Sequence, residues 1–318
     1  MTALLFGILT VVLVGPVPEL LSRAAWPLRT PRAAMVLWQS VALAAVLSAF
    51  SCGLAIAANL LAPGPDGAPT TNPFDEINRL GLPLWLIYVS VFILTLVVGA
   101  RMIFTTVRVG ARTRARRTAH RQLIDLLDRV DRREAEASNP LSARDVRMIE
   151  VEQPLAYCLP GLRQRVVISE GVVTRLSVDE LTAVIVHERA HLRARHDLVL
   201  EAFIALQEAF PRFVRSSSAL GSVELLVEAL ADDQAVKATT PTTLGRALVA
   251  CADAVAPRGA MAVGGPTTLT RITRLADAPS AALTFVVYVA AAAILVVPTL
   301  AVAIPWLTEL SRLIAAVN

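Results

Sequence analysis

The chain has 318 residues, of which 55% are hydrophobic, and a mean hydropathy of +0.59. This composition is too apolar for an ordinary soluble domain and excludes that class. The formal net charge of +4 mostly reflects arginines next to apolar runs. Because no aromatic residues are interleaved with them, they favour contact with anionic lipid over binding of nucleic acid.

Four apolar runs approach or exceed the roughly 20 residues that an α-helix needs to cross a bilayer. The first run has no basic segment before it and no clear cleavage site, which favours an uncleaved span over a signal peptide. Three N-terminal spans within residues 1–110 and a fourth span further on therefore flank a more polar region at 111–279. The predicted transmembrane helices are at about 4–21, 33–61, 82–107 and 280–307.

Basic residues in the connecting segments predict the orientation of the chain. The first loop carries three arginines and six more follow the third span, whereas the second loop, at 63–81, is acidic on balance. The positive-inside rule then puts the first loop and the region after the third span in the cytoplasm. Both termini are predicted to be outside, with 308–318 as a short extracytoplasmic tail, in a multi-pass protein of a bacterial plasma membrane. The second loop is rich in Pro, Gly and Asp and is predicted to lack a fold of its own.

The region between the third and fourth spans is predicted to be a helix-rich α+β domain with a small sheet. Helical periodicity covers residues 113–137, and β-branched residues predict short strands at 147–152 and 165–169. A helix that begins after Ser177 comes next. Further helices are predicted at about 198–210, 222–238 and 244–255, and around residue 271.

The helix after Ser177 carries the pattern His187-Glu188-Arg189-Ala190-His191. Ser177 and Glu180 form a capping box before an apolar stripe at helical spacing, which argues against a chance match in a loop. Residues four apart share a helix face, so the two imidazoles can bind one zinc ion. Glu188 can then act as the general base toward a water molecule that the metal makes acidic.

A third ligand is predicted from an acidic helix further along the chain. Glu224, Glu228 and Asp232 recur every four residues and share one helix face. We assign Glu228 as the ligand and Asp232 as the acceptor of the second ring N–H of a ligating histidine. Glu224 fits by spacing but lacks such an Asp partner, and Asp233 competes with Asp232. The alternative for the whole run is a solvated acidic face.

His196 is a further candidate ligand near the motif. Some zinc peptidases take a third histidine six residues after the second. His196 follows His191 by only five residues, and no glycine lies between them. We therefore predict that His196 is not a ligand and marks the exposed end of the helix, beside Arg193 and Arg195.

These motifs resemble those of the membrane-embedded gluzincin peptidases, both the BlaR/MecR-type antirepressor peptidases and the HtpX-like quality-control peptidases. Arg189 departs from the pattern, in which this position is usually small or aliphatic, and we expect its side chain to point away from the metal. The similarity covers roughly residues 115–280 and is carried by segments 154–161, 166–173, 184–193, 228–232 and 271–275.

The resemblance implies a multi-pass α-helical membrane protein with a helix-rich α+β, zincin-like (gluzincin) cytoplasmic domain. The expected activity is that of a zinc metalloendopeptidase with one Zn2+ per chain. Its metal ligands are His187, His191 and Glu228, its catalytic base is Glu188, and Asp232 supports the ligands. The expected substrate is a protein or peptide, such as a BlaI/MecI-like transcriptional repressor, with no direct contact to nucleic acid.

Two alternatives remain beside this hypothesis. An HtpX-like enzyme would cleave misfolded membrane proteins broadly, and a non-catalytic membrane scaffold would carry the motif as a vestige. Only residues 308–318 follow the fourth predicted span. They are too few for the penicillin-binding sensor domain of full-length BlaR/MecR-type receptors, so no direct β-lactam binding is expected.

Overall fold

The structure is a computed structural model, and it describes residues 2–61, 73–127, 144–161, 163–210, 218–252, 261–262, 267–277 and 280–317. These residues form a helix-rich fold with four short strands. The N-terminal helices are α1 (Thr2–Val14), α2 (Pro16–Arg23), α3 (Pro31–Ala57), α4 (Pro73–Leu80) and α5 (Leu82–Leu127). The later elements are β1 (Val146–Ile149), β2 (Ala156–Leu159), β3 (Arg165–Ser169), α6 (Glu170–Arg175), α7 (Val178–Ala194), α8 (His196–Ala209), α9 (Ala219–Ala238), α10 (Pro241–Ala250), β4 (Met261–Ala262), α11 (Thr268–Arg274) and α12 (Ala281–Val317).

Four helical stretches of the described chain are long and apolar enough to cross a membrane. They coincide with the four apolar runs of the sequence, and α1 is separated from α2 at Gly15. Small residues of α3 let its neighbours approach closely, as is common between membrane helices. Ala33 and Ala44 of α3 pack with Leu13 of α1 and with Val287 and Ala291 of α12. The four stretches are Ala3–Arg23, Pro31–Ala57, Leu82–Leu126 and Ala281–Leu300.

Helix α5 is longer than either of the two helices predicted in its place. It runs unbroken for 46 residues, about 69 Å at 1.5 Å per residue, or more than twice the ~30 Å of a bilayer core. The arginines and alanines after residue 107 are good helix formers, so nothing ends the helix where the apolar run ends. Residues 128–137 of the predicted second helix lie outside the described residues.

The acidic second loop contains structure that its composition did not predict. Residues 73–80 form α4, with Pro73 at its start and two acidic residues in its first turn. Both features stabilise a helix N-terminus, so the prediction that the loop lacks a fold is wrong for this part. Residues 63–72 of the loop lie outside the described residues.

The sheet has the strand order β1-β3-β2-β4 and lies between α5 and α7. Strand β3 pairs in parallel with β1 and antiparallel with β2, and β2 also pairs antiparallel with β4. Cys158 and Ile168 face the core that α7 covers. Tyr157 and Val167 face the opposite way and pack with Ile124 of α5. The sheet is therefore buried on both sides, and α7 is fixed on one of them.

Helix α9 packs against the N-terminal apolar helix α3. Val223, Leu226 and Val227 on one face of α9 are buried against Met35 and Trp38 of α3. This contact fixes α9 against α3, so the acidic residues of α9 take their position partly from this apolar helix.

Candidate metal centre

The local sequence explains why His187 and His191 lie on a well-formed helix. The Ser177 side chain accepts a hydrogen bond from the Glu180 backbone, and the Ser177 backbone N–H donates to the Glu180 carboxylate at 2.9 Å. The predicted capping box is thus confirmed. His187 and Glu188 are 0% exposed, and His191 is 1% exposed. The motif is therefore on the inner face of α7, where polar groups need partners.

Three potential metal ligands converge at this point. His187 Nε2 lies 3.1 Å from His191 Nε2 and 3.3 Å from Glu228 Oε2. His191 Nε2 lies 3.5 Å from Glu228 Oε1. Ligand atoms about 2.0–2.1 Å from a tetrahedral zinc ion would be about 3.3–3.4 Å from one another. The three side chains consequently fit a zinc ion by both donor type and spacing.

The two acidic alternatives to these assignments lie elsewhere. The Glu224 side chain is exposed, and among the described residues the group that could hold a metal consists of His187, His191 and Glu228. Asp233 forms an ion pair with Arg274, whose Nε also donates to the Leu28 carbonyl at 2.8 Å. The structure therefore brings neither Glu224 nor Asp233 into the cluster.

Asp232 connects the cluster to a buried cation. Its Oδ1 lies 3.0 Å from His187 Nδ1. Arg271, 1% exposed, donates from Nε and Nη2 to the two Asp232 oxygens at 2.9 and 2.6 Å. The Arg271 Nη1 is also 3.0 Å from Glu228 Oε2. A bidentate guanidinium–carboxylate pair is geometrically specific, so Arg271 fixes the orientation of Asp232.

These contacts set the charges in the metal-free cluster. Burial lowers the pKa of His187, but hydrogen bonds to Asp232 and Glu228 outweigh it and raise that pKa to about 9. Burial raises the pKa of Asp232, but hydrogen bonds from Arg271 and His187 outweigh it, and the net shift is downward. Burial and the neighbouring His187 hold the pKa of His191 well below its usual value. His191 is thus a neutral imidazole with a lone pair for a metal.

Glu188 is buried without the partners that a carboxylate normally has. No nitrogen or oxygen donor among the described residues hydrogen-bonds either of its oxygens. Burial raises its pKa to about 7, although His187 acts in the opposite direction, and the Cys158 thiol lies beside it. An unpaired buried carboxylate is costly for folding, which indicates a functional reason for its retention.

The prediction for His196 is wrong in one respect. The residue is 6% exposed, not at a solvated helix end, and its Nδ1 lies 3.1 Å from His191 Nδ1. Helix α7 ends at Ala194, and Arg195 adopts the left-handed conformation with φ 52° and ψ 42°. This turn begins α8 at His196 and directs its side chain back toward α7.

The Arg189 side chain points toward Asp145 and away from the candidate metal centre, as we expected from the sequence. Its Nε and Nη2 donate to the two Asp145 oxygens at 2.8 and 2.7 Å. Arg189 therefore ties α7 to the residue before β1 and leaves the metal centre clear.

Sequence reasoning missed the contributions of Arg271 and His196. Arg271 had a signal, because its run resembles one near the end of gluzincin domains, but no role followed from that. His196 had no usable signal, since five residues of continuous helix would have turned it away from His191.

A buried cluster of two histidines and a glutamate, with an unpaired glutamate between the histidines and a small mixed sheet beside them, is the arrangement of a metallopeptidase. Residues 119–220 match the profile of peptidase family M48, over about a third of the chain. This similarity supports metallopeptidase activity. The match includes α7 and ends before Glu228, so the third candidate ligand rests on the sequence prediction and on the geometry of the cluster. No curated protein and no solved structure matches the chain.

Proposed function

We propose that the chain is a membrane-bound zinc metalloendopeptidase whose active site faces the cytoplasm. The observation that carries this proposal is the convergence of three side chains, with pairs of their donor atoms 3.1 to 3.5 Å apart, next to a buried carboxylate without a partner. A scaffold with a vestigial motif would gain nothing from keeping these costly buried groups together.

Each residue of the cluster has a role in this proposal. His187, His191 and Glu228 would hold the zinc ion. When bound there, zinc supplies Lewis-acid chemistry that polarises the scissile carbonyl and makes water more acidic. Glu188 takes the proton from the attacking water onto a carboxylate oxygen and later donates it to the leaving amine. Asp232, whose Oδ1 lies 3.0 Å from His187 Nδ1, would accept the proton of that nitrogen and leave Nε2 free for coordination.

Four apolar helices and the arginines that follow the third one support a place in the bacterial plasma membrane, with the peptidase domain on the cytoplasmic side. The domain lies between the third and fourth of these helices, as in BlaR/MecR-type peptidases. We infer that the enzyme cleaves a BlaI/MecI-like transcriptional repressor and so relieves repression. Broad HtpX-like cleavage of misfolded membrane proteins is the competing role.

The activity is tested on the full chain, purified in detergent or nanodiscs, with casein as an unstructured protein probe. We expect one zinc per chain by elemental analysis, cleavage of casein, and loss of cleavage after chelation. Glu188→Gln should retain zinc but cleave about 10²- to 10⁴-fold more slowly, since it removes the general base. Glu224→Gln, an isosteric change one turn before Glu228, should behave like the wild type. Protein without stoichiometric zinc, or cleavage unaffected by Glu188→Gln, would contradict the proposal that the chain is a zinc peptidase.

The substrate is tested by comparing the proteomes of cells that carry the wild type or Glu188→Gln. Accumulation of one DNA-binding repressor in the variant supports regulatory proteolysis. Accumulation of many membrane proteins instead supports the quality-control role and overturns the repressor assignment.

A further inference from the structure

The two candidate histidine ligands use their ring nitrogens in the same way. His187 and His191 turn their Nε2 atoms toward each other, 3.1 Å apart. The Nδ1 of each ring points away from this contact and toward a second side chain. For His187 that side chain is Asp232, at 3.0 Å. For His191 it is His196, whose Nδ1 lies at 3.1 Å.

The proton on this second pair follows from the chemistry of coordination. A neutral imidazole that offers the Nε2 lone pair to a metal carries its proton on Nδ1. In that tautomer His191 is the donor, and the facing Nδ1 of His196 must be the acceptor. The two rings meet nearly edge to face, at an interplanar angle of 83° and with centroids 5.0 Å apart.

The corner between α7 and α8 holds His196 in this position. Arg195 is in the left-handed conformation, which few residues other than glycine adopt. The next residue, Asp197, accepts a hydrogen bond from Arg117 of α5 at 2.9 Å, with side chains 2% and 9% exposed. The Asp197 carboxylate therefore contacts α5, whereas the side chain of the preceding residue, His196, lies beside His191.

We propose that His196 is a positioning residue that accepts the Nδ1–H of His191 and thereby fixes the tautomer and ring orientation of that ligand. The inference rests on the proposed function, because it requires that His191 binds a metal. It gives the two histidines different supports: a carboxylate paired with Arg271 for His187, and a neutral imidazole for His191.

The test measures metal binding by the full chain in nanodiscs, with zinc and cobalt as probes. His196→Leu removes the acceptor but keeps a buried apolar side chain. We expect zinc affinity, measured by chelator competition, to fall about 10- to 100-fold, as for other residues that support metal ligands. We also expect the d–d absorption of the cobalt-loaded protein to change.

Two amide variants and one matched control separate this role from packing. His196→Asn puts an oxygen near the original Nδ1 and should restore most of the affinity. His196→Gln carries its amide one methylene further out and should not. His120→Leu makes the same substitution at a half-buried histidine that bonds the Tyr157 hydroxyl at 2.9 Å, on the far side of the sheet. It should bind zinc like the wild type.

Equal zinc affinity and equal cobalt spectra for His196→Leu and His120→Leu would overturn the inference. So would equal losses in His196→Asn and His196→Gln, since these indicate packing alone. If His196→Leu does not fold, the zinc affinities of His196→Asn and His196→Gln still distinguish a hydrogen-bonding role from packing. A wild-type chain that binds no zinc would overturn the proposed function, and the inference with it. A wild type that binds zinc, with His196 variants that match it, would overturn the inference alone.

Discussion

Arg271 is the buried cation that balances the acidic side of the metal centre. It contacts both Asp232 and Glu228 and is almost inaccessible to solvent. Removal of one partner from a buried ion pair leaves the other charge uncompensated, which is more costly than the net worth of the pair. The stability of the site therefore depends on a residue that is not itself one of the candidate metal ligands.

We predict that Arg271→Met destabilises the metal-free protein by about 3–5 kcal/mol. Methionine is long enough to fill the space but has no charge for Asp232. The matched control is Arg189→Met, whose partner Asp145 is partly exposed and whose loss should cost about 0–1 kcal/mol. Denaturant unfolding of both variants in the presence of a chelator measures the difference. Equal unfolding midpoints for the two variants would show that loss of the buried ion pair costs no more stability than loss of the partly exposed one.

At this scale the sequence predicted the cluster better than its surroundings. The four-residue spacings place His187 with His191 and Glu228 with Asp232, because the helix repeat is fixed by backbone geometry. The contact of Asp232 with Arg271 spans 39 residues, and the contact of His191 with His196 depends on one left-handed residue. Neither is encoded in a local repeat, so neither could be predicted from periodicity.

Helix α6 begins where the chain passes very close to itself. Gly171 lies in its first turn, and a Cβ at this position would lie 1.9 Å from the Glu152 carbonyl oxygen. The Gly171 N–H also donates to the Val151 carbonyl at 3.0 Å. The segment between β1 and β2 therefore packs directly on the helix that leads to α7.

We predict that Gly171→Ala destabilises the protein by about 1–3 kcal/mol, because the backbone must shift to admit the methyl group. Gly245→Ala is the matched control, since nothing lies within 4 Å of a Cβ there. In the interior of α10 this alanine should stabilise by about 0.5–1 kcal/mol. Thermal unfolding of the two variants should give midpoint shifts of opposite sign. Shifts of the same sign would argue against the close approach.

A comparison of individual helices and strands shows which of them local sequence patterns predict and which they do not. Helix α7 is predicted from its capping box, and β3 from its β-branched run. Strand β2 has four consecutive buried residues, so it lacks the alternation that identifies a strand with one exposed face. The sequence predicted two helices in place of α5 because the apolar run ends, although the helix itself continues.

On the scale of the whole molecule, the proposed orientation makes opposite predictions for reporter proteins fused at Leu127 and after Asn318. Alkaline phosphatase fused after Asn318 should be active, since it folds only outside the cytoplasm, and green fluorescent protein fused there should be dark. After truncation at Leu127, behind the third apolar helix, the two reporters should behave in the reverse manner. An active phosphatase at Leu127 would place the metal centre outside and contradict the orientation.

The packing of α9 on α3 has a consequence for any attempt to isolate the peptidase domain. Residues 111–279 include every candidate ligand, but they lack Met35 and Trp38, which cover the apolar face of α9. A fragment with these bounds would expose Val223, Leu226 and Val227 to water and loosen the helix that carries Glu228. The bounds 111–279 thus leave out packing partners of the helix that carries Glu228, and the apolar helix α3 helps to hold one side of the candidate metal centre in place.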